Sequence, residues 1–227
     1  NEVINTIKID TAPLGLTSNP SGEEVFITSW FKSQVLVLST KDFSVTKAFN
    51  VGATPSGIAF NKKYNFIVIT SRDANLVEIY NATDYSLQKK IKVGSHPYGI
   101  STSDKFIYVA NVYDDTISII NIFNWEQKVI KVGLHPYNVI SYKDKAYVTN
   151  AQGDNVSVID LNTFKEIKKI NTGETPENIS VDKLHDNLIV SNWGSDSITI
   201  IDIKTLKPVK QIKTGLQSRA FGQFIYT

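Results

Sequence analysis

The 227-residue chain has no cysteine, no methionine, two arginines and three histidines. Without cysteine there is no disulfide, no zinc–thiolate centre and no thiol nucleophile. Such a composition is compatible with an oxidising compartment without requiring one. No apolar run approaches the roughly 20 residues of a membrane-spanning helix. Apolar spacing of 3.6 residues is sustained nowhere, so helix content should be close to nil. Net charge is only +2, and no segment gathers basic residues into a run, which argues against nucleic acid as a partner. The chain starts at Asn1 and not at methionine, as a processed product or a piece of a longer one would. What is present, 41% apolar and 20% charged residues, is ordinary globular composition with material for a sizeable core.

The dominant positive feature is a repeat. Gly-x-x-Pro-x-(Gly/Asn)-apolar occurs at Gly52 to Ile58, Gly94 to Ile100, Gly133 to Val139 and Gly173 to Ile179. A degenerate first copy has Asp10, Pro13 and Gly15, and a degenerate last copy has Gly215, Ser218 and Ala220. The proline-equivalent positions are 13, 55, 97, 136, 176 and 218, giving spacings between 39 and 42. Each repeat holds four short strand signals. In the second they are Gly57-Ile-Ala-Phe60, the β-branched run Phe66-Ile-Val-Ile-Thr70, Leu76 to Tyr80, and the lysine-rich Leu87 to Val93. The first reads as a short apolar strand, the second as a buried strand bounded by polar residues, the third as a further strand, and the fourth as a solvent-facing edge. Four-stranded units of 40–45 residues are the signature of a propeller blade, so residues 1–227 are expected to form one all-β domain.

Specific residues carry a family resemblance. Ala146-Tyr-Val-Thr-Asn150 leads into Asn155-Val-Ser-Val-Ile-Asp160, and Phe106 to Asn111 and Ile189 to Asn192 are close variants. This resembles the YVTN family of β-propeller repeats over essentially the whole chain. The segment Ser218 to Ile225 also looks like a closing strand of that family. The resemblance implies a β-propeller and export to the periplasm, the cell surface or the medium. It carries no single reaction with it, so no catalytic residues transfer.

The repeat phase at the two ends bears on closure. Val3 to Ile9 matches a fourth strand and Ala220 to Ile225 a first strand, around five complete repeats. The preferred expectation is a six-bladed ring whose sixth blade lacks strands that would lie upstream of Asn1; a five-bladed ring is the alternative.

Few residues stand out as functional. His96 and His135 occupy the same pre-proline position in consecutive repeats, followed by Tyr98 and Tyr137. On a propeller this loop lies at the channel rim, where two imidazoles and two phenols could hold a metal or an anionic ligand. The bland account is a tolerant position copied by duplication, and two histidines fall short of the three or four ligands zinc requires. Trp30 and Trp193 depart from the repeat in turns between second and third strands, where aromatic residues can anchor a partner or pack on a neighbouring blade. Gly15, Gly57, Gly99, Asn138 and Asn178 share one position, which suggests left-handed backbone. Asp115, Asp154 and Asp196 read as turn residues bonding backbone N–H groups. Phe43, Tyr85, Trp125, Phe164 and Leu206 recur in the turn before the fourth strand as packing staples. No credible catalytic triad is present, and no cofactor is expected. The resulting expectation is a non-enzymatic binding or scaffold module of the envelope that presents one loop face to a protein or other ligand. The alternative is an enzyme or redox accessory protein with a ligand or metal near His96 and His135.

Overall fold

The computed structural model describes residues 6–219. Their architecture is twenty strands in five four-stranded antiparallel sheets, without a helix among the described residues. Blade 1 comprises β1 (Pro13–Ser18), β2 (Glu24–Ser29), β3 (Gln34–Ser39) and β4 (Val45–Asn50). Blade 2 comprises β5 (Pro55–Asn61), β6 (Phe66–Ser71), β7 (Leu76–Asn81) and β8 (Leu87–Lys92). Blade 3 comprises β9 (Pro97–Thr102), β10 (Phe106–Asn111), β11 (Thr116–Asn121) and β12 (Gln127–Lys131). Blade 4 comprises β13 (Pro136–Tyr142), β14 (Lys145–Asn150), β15 (Asn155–Asp160) and β16 (Lys165–Asn171). Blade 5 comprises β17 (Pro176–Asp182), β18 (Asn187–Asn192), β19 (Ser197–Asp202) and β20 (Lys207–Lys213). Strands pair in sequence order within each blade. Among the described residues no helix is long and apolar enough to cross a membrane.

An internal blade buries both faces, which is why its second strand is apolar without alternation. The tetrapeptide of blade 4 illustrates this. Tyr147 packs into the core shared with blade 5, and Val148 into the core shared with blade 3. The Thr149 hydroxyl accepts the Asn138 N–H at 3.0 Å and donates to the Glu177 carbonyl of blade 5 at 3.1 Å. The Asn150 amide donates to Asn155 Oδ1 at 2.7 Å and Ser157 Oγ at 2.8 Å, bracing the hairpin. Each letter of the motif thus has a separate physical task.

The turn aromatics also join blades. One lysine sits at the same register in every fourth strand: Lys47, Lys89, Lys128, Lys168 and Lys210 pair with Val37, Ile79, Ile119, Val158 and Ile200. Lys47 lies 4.6 Å from the Tyr85 ring centre of the next blade, Lys89 5.3 Å from Trp125, and Lys128 4.0 Å from Phe164. These are cation–π contacts; Tyr85, Trp125, Phe164 and Leu206 pack against the cores between blades as expected, whereas Phe43 of blade 1 is exposed. All five turn residues have positive φ, from 52° at Leu206 to 62° at Trp125. That is uncommon for bulky side chains.

Apolar cores join blades 1 and 2, 2 and 3, 3 and 4, and 4 and 5; among the described residues none joins blade 5 to blade 1. Leu16 is 46% exposed, whereas its equivalents Ile58, Ile100, Val139 and Ile179 are buried. At the other end Ile212 is 39% exposed and its equivalent Ile170 only 2%. The described residues therefore form an arc of five complete blades. The strand expected over Val3 to Ile9 is absent over residues 6–9, which are irregular; a fourth strand requires a third strand of its own blade to pair with. The rest of that segment and the closing strand at Ala220 to Ile225, on which a sixth blade would rest, lie outside the described residues.

Candidate functional site

The five first strands line a central channel, and the loops that feed β5, β9, β13 and β17 share one backbone conformation. The residue before the repeat proline is left-handed in each, with φ between 51° and 54° at Thr54, His96, His135 and Thr175, and Gln217, which precedes Ser218, matches them at 50°. A side chain from the preceding blade's β-hairpin caps this strained position at four of the five loops. The His96 N–H donates to Asn75 Oδ1 at 2.9 Å, and those of His135, Thr175 and Gln217 to Asp115, Asp154 and Asp196 at 2.6–2.9 Å. The recurrent aspartates do bond backbone N–H groups, about twenty residues further on.

The shared glycine position requires a different explanation from the one its sequence pattern suggests. Among the described glycines only Gly22 has positive φ; Gly15, Gly57 and Gly99 do not. A Cβ on Gly57 would overlap the carbonyl oxygen of Tyr98 on the neighbouring inner strand, and one on Gly15 that of Ser56. The constraint is close approach of adjacent strands. Where asparagine replaces glycine, Asn138 Nδ2 donates to Asn178 Oδ1 at 2.6 Å across the channel wall.

The residue after the repeat proline differs from blade to blade, and at four of the five positions it lines a small cavity between the inner strands. The five are Leu14, Ser56, Tyr98, Tyr137 and Glu177, and Arg219 holds the matching place after Ser218. The Tyr98 and Tyr137 rings are 4.4 Å apart, and the Tyr137 hydroxyl donates to that of Tyr98 at 2.9 Å. Burial raises both phenols above their ordinary range. Glu177 is 5% exposed, and Arg219 grips it through Nε at 2.8 Å and Nη2 at 3.0 Å. Burial pushes the Glu177 carboxyl above its ordinary value, against the pull of that guanidinium. Arg219 also lies 5.1 Å from the Trp193 ring centre.

Across the mouth the arrangement recurs. Arg72 sits 5.5 Å from the Trp30 ring and 5.9 Å from that of Tyr113, with an ion pair to Asp73 at 2.7 Å. The hydroxyl of Thr54, followed by Arg72, holds Asp73 below the usual carboxylate range. Trp30 meets Tyr98 edge-on at 6.5 Å. His96 and His135 do lie on this rim, but both pack on Tyr113, at 4.1 and 5.7 Å between ring centres. Among the described residues no group of three or more His, Cys, Asp or Glu is placed to hold a metal. His185 sits at the opposite end of the blades, 2.7 Å from Asp182.

The structure therefore brings Trp30, Tyr98, Tyr137, His96, His135 and Trp193 to one face. It adds Arg72, Tyr113, Glu177 and Arg219, which the repeat pattern did not single out. A signal for the arginines was present: the chain has only two of them, against twenty-two lysines, and both are on tryptophans at the mouth. Phe31, at 80% exposure, with Tyr113, Leu134 and Leu216, adds exposed apolar surface to the same loops. Aromatic faces, guanidinium groups and phenol hydroxyls suit contact recognition.

A family model described as YNCE-like beta-propeller matches residues 24–222. No curated protein matches the chain. Among solved structures, a functionally unknown protein from Desulfotomaculum acetoxidans DSM 771 is 15% identical with a TM-score of 0.81, over 97% of this chain and 77% of its own. Hydrazine synthase of Kuenenia stuttgartiensis is 17% identical with a TM-score of 0.67, over 96% and 91%. The WD40 repeats of RRP9 are 8% identical with a TM-score of 0.79, over 91% and 65%. At such identities the likeness is one of fold, and the fold serves an enzyme as readily as a repeat domain.

Proposed function

The chain belongs to the YNCE-like β-propeller family, and we propose that it is a non-catalytic binding module of the cell envelope whose channel-mouth face docks a protein partner. One observation carries this reading. The only two arginines of the chain each lie over a tryptophan that breaks the repeat, on the same loop face. Tryptophan, tyrosine and arginine are the residues that dominate binding energy at protein interfaces. Stacking and ion pairing hold these side chains in place before a partner arrives, which lowers the entropy cost of association. The surrounding exposed Phe31, Leu134 and Leu216 supply apolar area of the kind interface cores contain. Placement in the envelope rests on the YVTN resemblance, with which a cysteine-free composition is compatible.

The test is affinity capture from a native envelope fraction, comparing wild type with a Trp30→Ala/Tyr113→Ala double variant. A stoichiometric partner retained by wild type and reduced at least about tenfold by the variant is expected, the loss of one interface anchor. Equal recovery by both proteins would place the partner elsewhere and sink the proposal.

A further inference from the structure

We propose that the end of the channel opposite the mouth face is a binding site for a small organic anion, with its uncharged body inside the cavity and its charged head between Lys62 and Lys183. The cavity there has a volume of about 840 Å³, within the range of small-molecule sites. Its walls combine aliphatic side chains such as Ile58 and Ile100 with hydroxyls such as Ser101 and Ser141. Lys62 and Lys183 are the charged residues of its described lining; no carboxylate contributes. The Ser101 hydroxyl is shielded from solvent and has no hydrogen-bond partner among the described residues.

The charge balance of the surrounding turns sharpens the assignment. Carboxylates of the turns in blades 3, 4 and 5 each have a cationic or imidazole partner. Asp104 pairs with Lys63 at 3.0 Å, Asp144 with Lys145 at 2.9 Å, Asp186 with Lys143 at 2.9 Å and Asp182 with His185 at 2.7 Å. Lys62 and Lys183 have no ion-pair partner among the described residues, although each adjoins a residue of these paired turns. Two unneutralised ammonium groups at the lip of a neutral cavity favour an anionic head, whether carboxylate, sulfonate or phosphate ester. This site is separate from the mouth face and does not depend on the reading given for it.

Two probes of nearly the same shape test the assignment on the full chain: the anion anilinonaphthalene sulfonate and its neutral relative N-phenylnaphthylamine. Fluorescence titration of wild type should give saturable binding of both, one molecule per chain. Lys62→Gln/Lys183→Gln, at exposed positions that leave the fold intact, should weaken the sulfonate at least about tenfold, the factor of one charge-assisted contact, and leave the amine unchanged. Thr17→Trp, which fills the cavity from β1, should abolish both. Unchanged sulfonate affinity in the lysine variant, equal loss of both probes there, or no saturable binding by wild type would overturn the proposal.

Discussion

Glu177 sets the charge balance of the mouth. It is a carboxylate held almost out of solvent, with burial raising its proton affinity and Arg219 opposing that rise. Because the folded value exceeds the unfolded one, folding takes up a proton between the two. Stability from this group is present below the unfolded value, about 4.3, and is lost as pH rises through the folded one. Glu177→Gln removes that dependence. Its stability relative to wild type should therefore grow as pH rises from about 4 towards neutrality, read from denaturation midpoints of the two proteins; a difference that stays flat would contradict the burial argument. At this scale the sequence was partly legible. His96 and His135 could be placed on one rim by repeat phase. The reason for Gly57 could not be seen, because the carbonyl that excludes a Cβ belongs to Tyr98, one full repeat away.

The blade is the element that explains most of the chain, and its variations are informative. In blades 3 and 4 a buried asparagine braces the hairpin through a serine, Asn111 to Ser118 and Asn150 to Ser157. Blade 2 has Ser71 and Glu78 in those places. Glu78 is fully buried; burial raises its proton affinity, but bonds from Ser71, Lys90 and the Gly52 N–H outweigh this and lower it overall. The pairs are Ser71 Oγ at 2.6 Å, Gly52 N at 2.5 Å and Lys90 Nζ at 2.9 Å. Glu78→Ser alone leaves the Ser71 hydroxyl and Gly52 N–H short of an acceptor and should cost about 2–4 kcal/mol. Adding Ser71→Asn rebuilds the neutral brace of blades 3 and 4. The double variant should return to within about 1 kcal/mol of wild type in urea denaturation, the scale of one ordinary hydrogen bond. A double variant no more stable than Glu78→Ser would show that the brace is not transferable between blades. Strand order and blade limits were readable from periodicity and turn residues. The lysine-to-aromatic contacts between blades were not, because Lys47 and Tyr85 look like separate surface residues until the blades are stacked.

At the scale of the whole molecule, the five described blades display two unlike ends of one channel. The mouth carries stacked tryptophans, tyrosines and both arginines, and the other end carries a larger cavity with free lysines at its lip. Repeat phase made the five complete blades legible. It did not reveal the pairing of Arg72 with Trp30 or of Arg219 with Trp193, since neither contact recurs from blade to blade. The functional claim rests on those departures from the repeat. Its most direct test is site-specific photocrosslinking in native cells, with benzoylphenylalanine placed at Phe31 on the mouth face or at Leu184, an exposed apolar residue (76%) in a turn at the opposite end. A discrete crosslinked protein from position 31 and none from position 184 is the predicted result. The same adduct from both positions, or an adduct from position 184 alone, would contradict a docking face at the channel mouth.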